Sequence, residues 1–476
     1  MNRRNFLIAL GGMTALTTPA RAQGLVPASG EVDVAIVGAG AAGLAAARRV
    51  AAFGRSYALI EALDRVGGRA VTDVGRFDVP FDLGAHWLYA PRTNPLIPLA
   101  RTNGLDIYPA TRTQRLRLSA RDAGAADAEA FAIALSRANR AIVTAGEQRT
   151  DVAAARAMAD LGEWQATVAF RLGPATFGKD LDEVSAADYA RAEERAEAAV
   201  CRQGAGAILA LTALTLPVQH STPVTEIEWG GKLITLATPR GPIRARAVVL
   251  TVSTAALAGG AIRFKPALPA AVAAACQKLA LGSLNQVGIE LAGNPLRLRD
   301  DELVTFKTAS ADTMALLGRV SGTDLAVATL GGKAGRELEQ AGEAAMVAFV
   351  TEQLTAHYGA DIRTAIGRSF ATRWGAAPTI LGAMSVAAPG AQPMRRQLGQ
   401  PLDNRLFIAG EATHETAWGT LHGAWLSGER AAEQALRALG VAVPTTAPAP
   451  TLPRQPAQPL QRKRRQPRPS DMPARD

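Results

Sequence analysis

The chain has 476 residues, 48% hydrophobic and 20% charged, which is room for two or three domains with a sizeable core. Its formal charge of +10 sits at the ends: residues 1–22 hold three arginines and no acid, and residues 445–476 hold seven bases against two acids. The body between them is close to neutral, which excludes a broad nucleic-acid surface there, and two cysteines without a CxxC spacing exclude a disulfide framework or thiolate metal centre, so no metal is expected.

The first segment reads "MNRRNFLIALGGMTALTTPARAQG". Arg3-Arg4 precede Phe6 and Leu7, a weakly apolar run follows to about Thr18, and Ala20-Arg21-Ala22 gives a small-x-small cleavage pattern. The run is too short and too rich in Gly and Thr to span a bilayer. In that order these features predict a twin-arginine export signal over residues 1–22 and a periplasmic protein. That route carries folded chains, which suits a protein that takes up a cofactor before leaving the cytoplasm.

Next comes "EVDVAIVGAGAAGLAAARRVAAFGRSYALIEA". The pattern predicts a strand over Asp33 to Val37, a helix from about Ala41 to Phe53, and a second strand from Tyr57 to Ile60, followed by Glu61 and Ala62. Between strand and helix lie Gly38, Gly40 and Gly43 in a G-x-G-x-x-G spacing. Gly38 permits a tight turn, Gly40 lets a pyrophosphate approach the backbone, and Gly43 lets helix and strand pack closely. The helix start, at Ala41 and Ala42, offers free N–H groups to phosphate. Glu61 is placed to accept hydrogen bonds from a ribose. Strand, glycines, helix, strand and acid in order predict a dinucleotide site, with NAD and FAD both open at this point.

Two segments downstream favour FAD. "EALDRVGGRA" sets Arg65, Gly67, Gly68 and Arg69 after the acid, and "FDLGAHWLY" follows with Gly84, Ala85, His86 and Trp87. With the glycine motif, these resemble the flavin-containing amine oxidase family of monoamine, polyamine and L-amino-acid oxidases and flavin-type histone demethylases. The resemblance covers most of residues 31–440. It implies an α/β fold: a discontinuous Rossmann-like FAD-binding domain (31–90, 204–285 and 375–443) with an inserted α+β substrate domain (91–203 and 286–374). It also implies that Gly68 and Arg69 lie along the pyrophosphate, Gly84 to Trp87 beside the isoalloxazine, and the backbone of Val224 at the adenine. "RWGAAPTILGAMS" would bring Trp374 beside the flavin. "LFIAGEATH" and "GTLHGAWLSGERAA" match the family's closing signature, with Gly410 and Glu411 at the ribityl or phosphate region. A helix starting near Thr420 and Leu421 would point its positive end at the flavin edge where charge gathers on reduction.

Three positions depart from the family. Its lysine near flavin N5 is replaced by Gln286 in "LGSLNQVGIEL", so the water-holding function survives without the charge. The aromatic pair of monoamine oxidases maps to Met384 and Thr420, and their flavin-tethering cysteine to Ala383, implying non-covalent FAD. Gln286, Trp374 and Thr420 are the candidate catalytic residues, and Trp87, Met384 and Trp418 the candidate substrate pocket. The resemblance implies oxidation of a small-molecule amine to an imine by hydride transfer, with electrons passing to O2, a quinone or a redox protein. Two alternatives stay open: a same-fold enzyme acting on a C–C or other non-amine bond, and a flavin-bearing binding or assembly protein without turnover.

Ala-, Arg- and Glu-rich residues 121–200 predict helices, Cys201 and Cys276 fall in helix-like segments, and "LNQVGIELA" and "LAVATLGG" predict paired strands. The chain ends in "PTTAPAPTLPRQPAQPLQRKRRQPRPSDMPARD", expected as a disordered tail over 444–476. Its RKRR cluster is a candidate weak contact for a membrane surface or another polyanion, against the plainer reading of a solvated tail.

Overall fold

The computed structural model describes residues 30–110 and 114–444. The expected export signal and the tail beyond Pro444 lie outside the described residues.

The apolar run "EVDVAIV" forms the strand Glu31–Val37, buried on both faces from Val34 onward, as a central parallel strand requires. On one side it pairs in parallel with Tyr57–Ile60, and on the other with Ile243–Leu250, 213 residues further along the chain at each pair. Leu406–Ile408 adds in parallel to the far end of Ile243–Leu250. In register, Val37 lies opposite both Ile60 and Leu250, and Leu250 opposite Ile408. Four parallel strands therefore end on one line. Val218–Gln219 extends one side of this sheet, and Ile234–Ala237, Glu226–Glu228 and Arg263–Lys265 extend the other.

The Ala-rich helix Ala41–Ala52 packs against the last helix, Leu421–Ala438, and small residues set how closely. A Cβ at Gly428 would stand 2.0 Å from the carbonyl oxygen of Ala42. That contact ties the two ends of the fold together.

A second sheet of seven strands runs Ile366–Ala371, Leu284–Leu291, Leu325–Gly331, Ala315–Gly318, Glu302–Phe306, Gln114–Leu118 and Arg121–Asp122. Leu284–Leu291 and Leu325–Gly331 are antiparallel over seven residue pairs, from Leu284↔Gly331 to Glu290↔Leu325. Met346, Val350 and Leu354 of the helix Glu343–Tyr358 pack on this sheet with Val287, Ile289 and Ala328. The Ala-rich region supplies the helices Ala125–Gly146, Gln165–Leu172 and Ala186–Arg191.

Two expectations need correction. The division drawn between 285 and 286 falls inside the strand Leu284–Leu291, whose ladder belongs wholly to the second sheet. Cys201 ends the strand Ala198–Cys201 rather than lying in a helix, because Ile107–Pro109 pairs with that segment; Cys276 is helical. Both cysteines are buried and free.

Candidate functional site

Where the four parallel strands end, the next residues turn into a cleft of about 380 Å3. Gly38 follows the first strand, Glu61 the second, Thr251 the third, and Gly410 and Glu411 lie just beyond the fourth; all line the cleft. Ligands of open α/β sheets bind at such carboxyl ends. Gly38 has φ +102°, a conformation other residues rarely take. A Cβ at Gly40 would meet nothing nearer than the Gly67 carbonyl oxygen at 4.0 Å, so the cleft itself occupies that side. The helix Ala41–Ala52 starts at Gly40 without a side-chain cap and without an acid in its first turn. Its first N–H groups have no partner inside the helix and can meet an anion. Glu61 accepts from the backbone N–H of Ala39 at 2.7 Å and of Leu63 at 2.9 Å, which fixes its carboxylate at the cleft wall.

Further along, Gly84 is forced by close approach, since a Cβ there would lie 2.1 Å from the Arg69 carbonyl oxygen and 3.1 Å from the Trp374 ring. Trp374 donates its indole N–H to Leu83 O at 2.9 Å and leaves its ring as cleft wall. Arg69 donates to Glu411 at 3.0 Å and also bonds the Ala383 carbonyl. Glu411 further accepts from Ser385 N at 3.1 Å, Ser385 Oγ at 2.7 Å and Gly419 N at 2.9 Å. Burial alone would raise this carboxyl, but Arg69, Arg395 and Ser385 together hold it below the ordinary range. Thr420 caps the helix Leu421–Ala438, accepting from Gly423 N at 3.0 Å, and both Thr420 and Leu421 face the cleft.

A second cavity, of about 610 Å3, opens beside the first. His86, Trp87, Tyr89, Arg195, Gln286 and Thr329 line both. Gln286 accepts from Thr329 Oγ1 at 3.0 Å through its side-chain carbonyl, which leaves its amide N–H groups as donors. His86 bonds Asp82 at 2.8 Å through Nδ1, and its buried Nε2 has no partner. Glu193 bonds His422 at 2.7 Å.

All but two of the residues expected at the site line one or both cavities: Gly38, Gly40, Ala42, Glu61, Ala62, Gly68, Arg69, Gly84, Ala85, His86, Trp87, Val224, Gln286, Trp374, Met384, Gly410, Glu411, Thr420 and Leu421. Gly43 stands one layer behind, where a Cβ would fall 1.8 Å from the Gly38 carbonyl oxygen. Trp418, expected in the substrate pocket, is instead fully buried behind it, against Phe177 at 5.0 Å and beneath Arg395 at 4.4 Å. Glu411, expected to bond the ligand, has its carboxylate occupied by Arg69, Ser385 and Gly419, and so acts on the cleft by holding those groups. His422 is buried and His414 partly buried. His414 Nδ1 accepts from Ala417 N at 2.9 Å, and burial, followed by the charge of Arg430, lowers its pKa to about 4.

Sequence reasoning missed the contribution of residues 171–195. Arg171 and Arg195 line the second cavity, and burial lowers the pKa of both, though an arginine stays charged at physiological pH. Asp188 and Arg395 form a bidentate pair at 2.7 Å on both arms, each side chain wholly buried. Arg395 also donates to Ser385 Oγ at 2.9 Å, so a chain of bonds runs Asp188–Arg395–Ser385–Glu411–Arg69 into the cleft. Nothing in the local pattern "RAEERAEAAV" separates Arg195 from a solvated charged face.

Fold and site together define a dinucleotide-binding protein with a Rossmann-like cleft opening onto a separate cavity. A sequence profile of NAD(P)-binding Rossmann-like domains matches residues 36–99, and one described as flavin containing amine oxidoreductase matches residues 147–436. The chain belongs to the flavin-containing amine oxidoreductase family. It is 28% identical over 451 residues to lysine-specific histone demethylase 1 homolog 2 of Arabidopsis thaliana, covering 86% of this chain and 59% of that protein. It is 25% identical to probable polyamine oxidase 4 of the same plant, covering 85% and 87%. The chain thus spans less than two thirds of the first of these relatives. Among solved structures, cyclohexylamine oxidase from Brevibacterium oxydans IH-35A superposes with a TM-score of 0.72 at 21% identity, covering 86% of this chain and 99% of that one. Putrescine oxidase bound to putrescine superposes at 0.73 with 18% identity and the same coverage, and both likenesses concern the fold.

FAD is the cofactor of this family, and the cleft fits it. An uncapped helix start faces the open side of Gly40 for a pyrophosphate, Glu61 stands ready for a ribose, and a second helix start at Leu421 reaches the far end. No cysteine lines the cleft, and position 383 is alanine, so the cofactor is held without a cysteine bond.

Proposed function

We propose that this protein is an exported, FAD-dependent oxidoreductase that oxidises the carbon–nitrogen bond of an amine. The observation that carries this reading is the shared wall: Trp87, Gln286 and Thr329 line both the cofactor cleft and the larger cavity beside it. A substrate in the larger cavity would meet the cofactor along that shared wall. When bound, FAD supplies a two-electron acceptor for the hydrogen on the carbon bearing nitrogen, giving an imine that water hydrolyses to a carbonyl compound.

The chain's own residues then position and enclose. Trp374 and Trp87 form walls that exclude water. Gln286, anchored by Thr329, presents amide N–H groups without a charge. His86 is held by Asp82 with Nε2 unpartnered at the same junction. Because Gln286 brings no cation to assist oxygen, the reading includes a dehydrogenase that passes electrons to a quinone or a small redox protein in the periplasm. Export rests on the residues 3–22 pattern.

The test is anaerobic mixing of the purified flavoprotein with amines, polyamines and amino acids while the visible flavin band is followed. Bleaching by one class supports amine oxidation, and the rate at which air restores the band separates oxidase from dehydrogenase. If dithionite bleaches the flavin and no amine does, the amine reading falls and oxidation of a C–C bond takes its place.

A further inference from the structure

Two arginines reach into the larger cavity, which is unexpected for a site that only receives cations. Arg195 stands at the junction with the cofactor cleft, and Arg171 lines the cavity beyond it. Arg195 is packed among the rings of Phe177 at 4.9 Å, Trp418 at 5.2 Å and Tyr89 at 5.5 Å. These rings, which could otherwise cradle a substrate ammonium, already hold a cation of the chain's own. One donor of Arg195 goes to the Trp418 carbonyl at 2.7 Å, and its Nε is buried without a partner. Among the described residues the Arg171 guanidinium makes a single long bond, to Thr176 Oγ1 at 3.3 Å. Among the described residues neither guanidinium has a carboxylate within ion-pair distance. The phenol of Tyr89 feels the charge of both, so the three groups converge on one region.

Glu411, Asp188 and Glu193 act on Arg195 through space, but each carboxylate is already bonded elsewhere, Glu411 to Arg69 and Ser385 and Asp188 to Arg395. Glu193 is bonded to His422, Asp82 to His86 and the Ala205 N–H, and Glu197 faces Arg92 at 3.7 Å. Glu194 and Glu197 are exposed, which places them at the mouth. A buried cation needs an anion or strong acceptors around it. Here the protein provides too few, on the side that faces the ligand.

We infer that Arg195, Arg171 and Tyr89 form an anion-binding subsite, and that the amine oxidised here carries a carboxylate which docks in it. The substrate class rests on the reading of amine oxidation; the subsite does not. A carboxylate at Arg195 lies beside the shared wall, so it orients the rest of the molecule with the amine-bearing carbon toward the cofactor. A bare diamine would instead place positive charge against two unpaired guanidiniums.

The test uses the flavin-loaded protein and two readouts. In anaerobic bleaching, α- and ω-amino acids are each compared with their carboxamides, which keep the shape and lose the charge. The best acid is expected to outrun its amide by about 30-fold or more, the scale of losing one partner of a buried charge-assisted pair. The gap should collapse to within about threefold in Arg195→Gln and Arg171→Gln. Separately, benzoate and 4-methylpentanoate, which have no amine to oxidise, are titrated against the flavin spectrum, and both should bind wild type more tightly than either variant. Arg171→Gln serves where loss of Arg195 disturbs its aromatic neighbours, since Arg171 has only one bond to lose. Amides or plain amines reacting as fast as the acids, with carboxylates silent in the spectrum, would overturn the inference and leave amine oxidation standing. Carboxylates that bind through Arg195 or Arg171 while no amine bleaches would sink amine oxidation and leave the subsite.

Discussion

Along the cofactor cleft Gly38, Gly40, Gly67, Gly68, Gly84 and Gly410, with the N–H groups of two helix starts, bring backbone to the surface between side chains such as Glu61, Arg69 and Trp374. Among the described residues no glycine lines the cavity beyond Gln286, and the side chains it does not share with the cleft include Leu135, Asn139, Arg171 and Glu193. A surface of backbone recognises what every member of a family shares, the phosphates and edges of a cofactor, and its geometry is set by where glycine is compulsory. A surface of side chains is assembled from the helices of 125–195 and the strands around 284–329, and can be rewritten one residue at a time. The comparison places the constant chemistry on one side of Gln286 and the selective chemistry on the other.

The largest effect should come from breaking the backbone side. Gly43→Val puts a Cβ where only 1.8 Å separates it from the Gly38 carbonyl oxygen, so the turn must move. We expect the protein to retain no flavin, read as the loss of visible absorbance relative to that at 280 nm. Leu135→Ala, which trims a residue lining only the larger cavity, should keep its full flavin complement and change substrate kinetics alone. If Leu135→Ala also loses flavin, the two regions are not separable in this way.

Next in size is the connection between them. Asp188 lies in the helix Ala186–Arg191, yet through Arg395, Ser385 and Glu411 it steadies Arg69 in the cleft. Asp188→Asn leaves a wholly buried guanidinium without its counter-charge, a change that costs about 3–5 kcal/mol. Denaturant titration should show that loss, together with weaker flavin retention. Stability lost without any change in flavin affinity would mean the chain of bonds ends before the cleft.

A smaller effect follows from pH. His414 is neutral in the fold, with its pKa lowered from the ordinary 6.5 to about 4 by burial and then by Arg430. Between these values the unfolded chain binds a proton that the folded one refuses, so stability is full above about pH 6.5 and falls as pH drops toward 4. The loss attributable to this residue is at most about 3 kcal/mol. His414→Asn, whose side-chain oxygen can still accept from Ala417 N–H, should flatten that part of the profile, as measured by melting temperature at pH 7, 6 and 5.

What could be read beforehand follows the same division. The strand from Tyr57 to Ile60, the glycine turn and the helix from Ala41 were legible because apolar periodicity and glycine spacing are local properties. Even the sharing of one cleft by Gly40 and Leu421 was accessible, through the family resemblance of motifs at both ends of the chain. Arg195 was not, because its importance lies in having Phe177, Tyr89 and Trp418 around it and no carboxylate opposite, facts about tertiary placement. Trp418 was misplaced for the same reason. Gly419 and Thr420, which follow it, reach the cleft, but the turn sends the indole before them into the core. Cys201 shows that an Ala-rich segment becomes a strand when a partner edge, here Ile107–Pro109, supplies its hydrogen bonds.

The finest test concerns Thr420, where backbone and side chain act together. Its hydroxyl accepts from Gly423 N at 3.0 Å and donates to the Ala417 carbonyl, which holds the first turn of Leu421–Ala438 against the cleft. Thr420→Ala should cost about 1 kcal/mol of stability, the usual worth of an N-cap. If the helix start also stabilises the reduced cofactor, fraying that turn weakens a contribution of about 0.3–1 kcal/mol, and the two-electron midpoint potential should fall by about 10–20 mV. Thr420→Ser keeps the capping oxygen and should restore both quantities. A lower melting temperature with an unmoved potential would assign Thr420 to the fold alone.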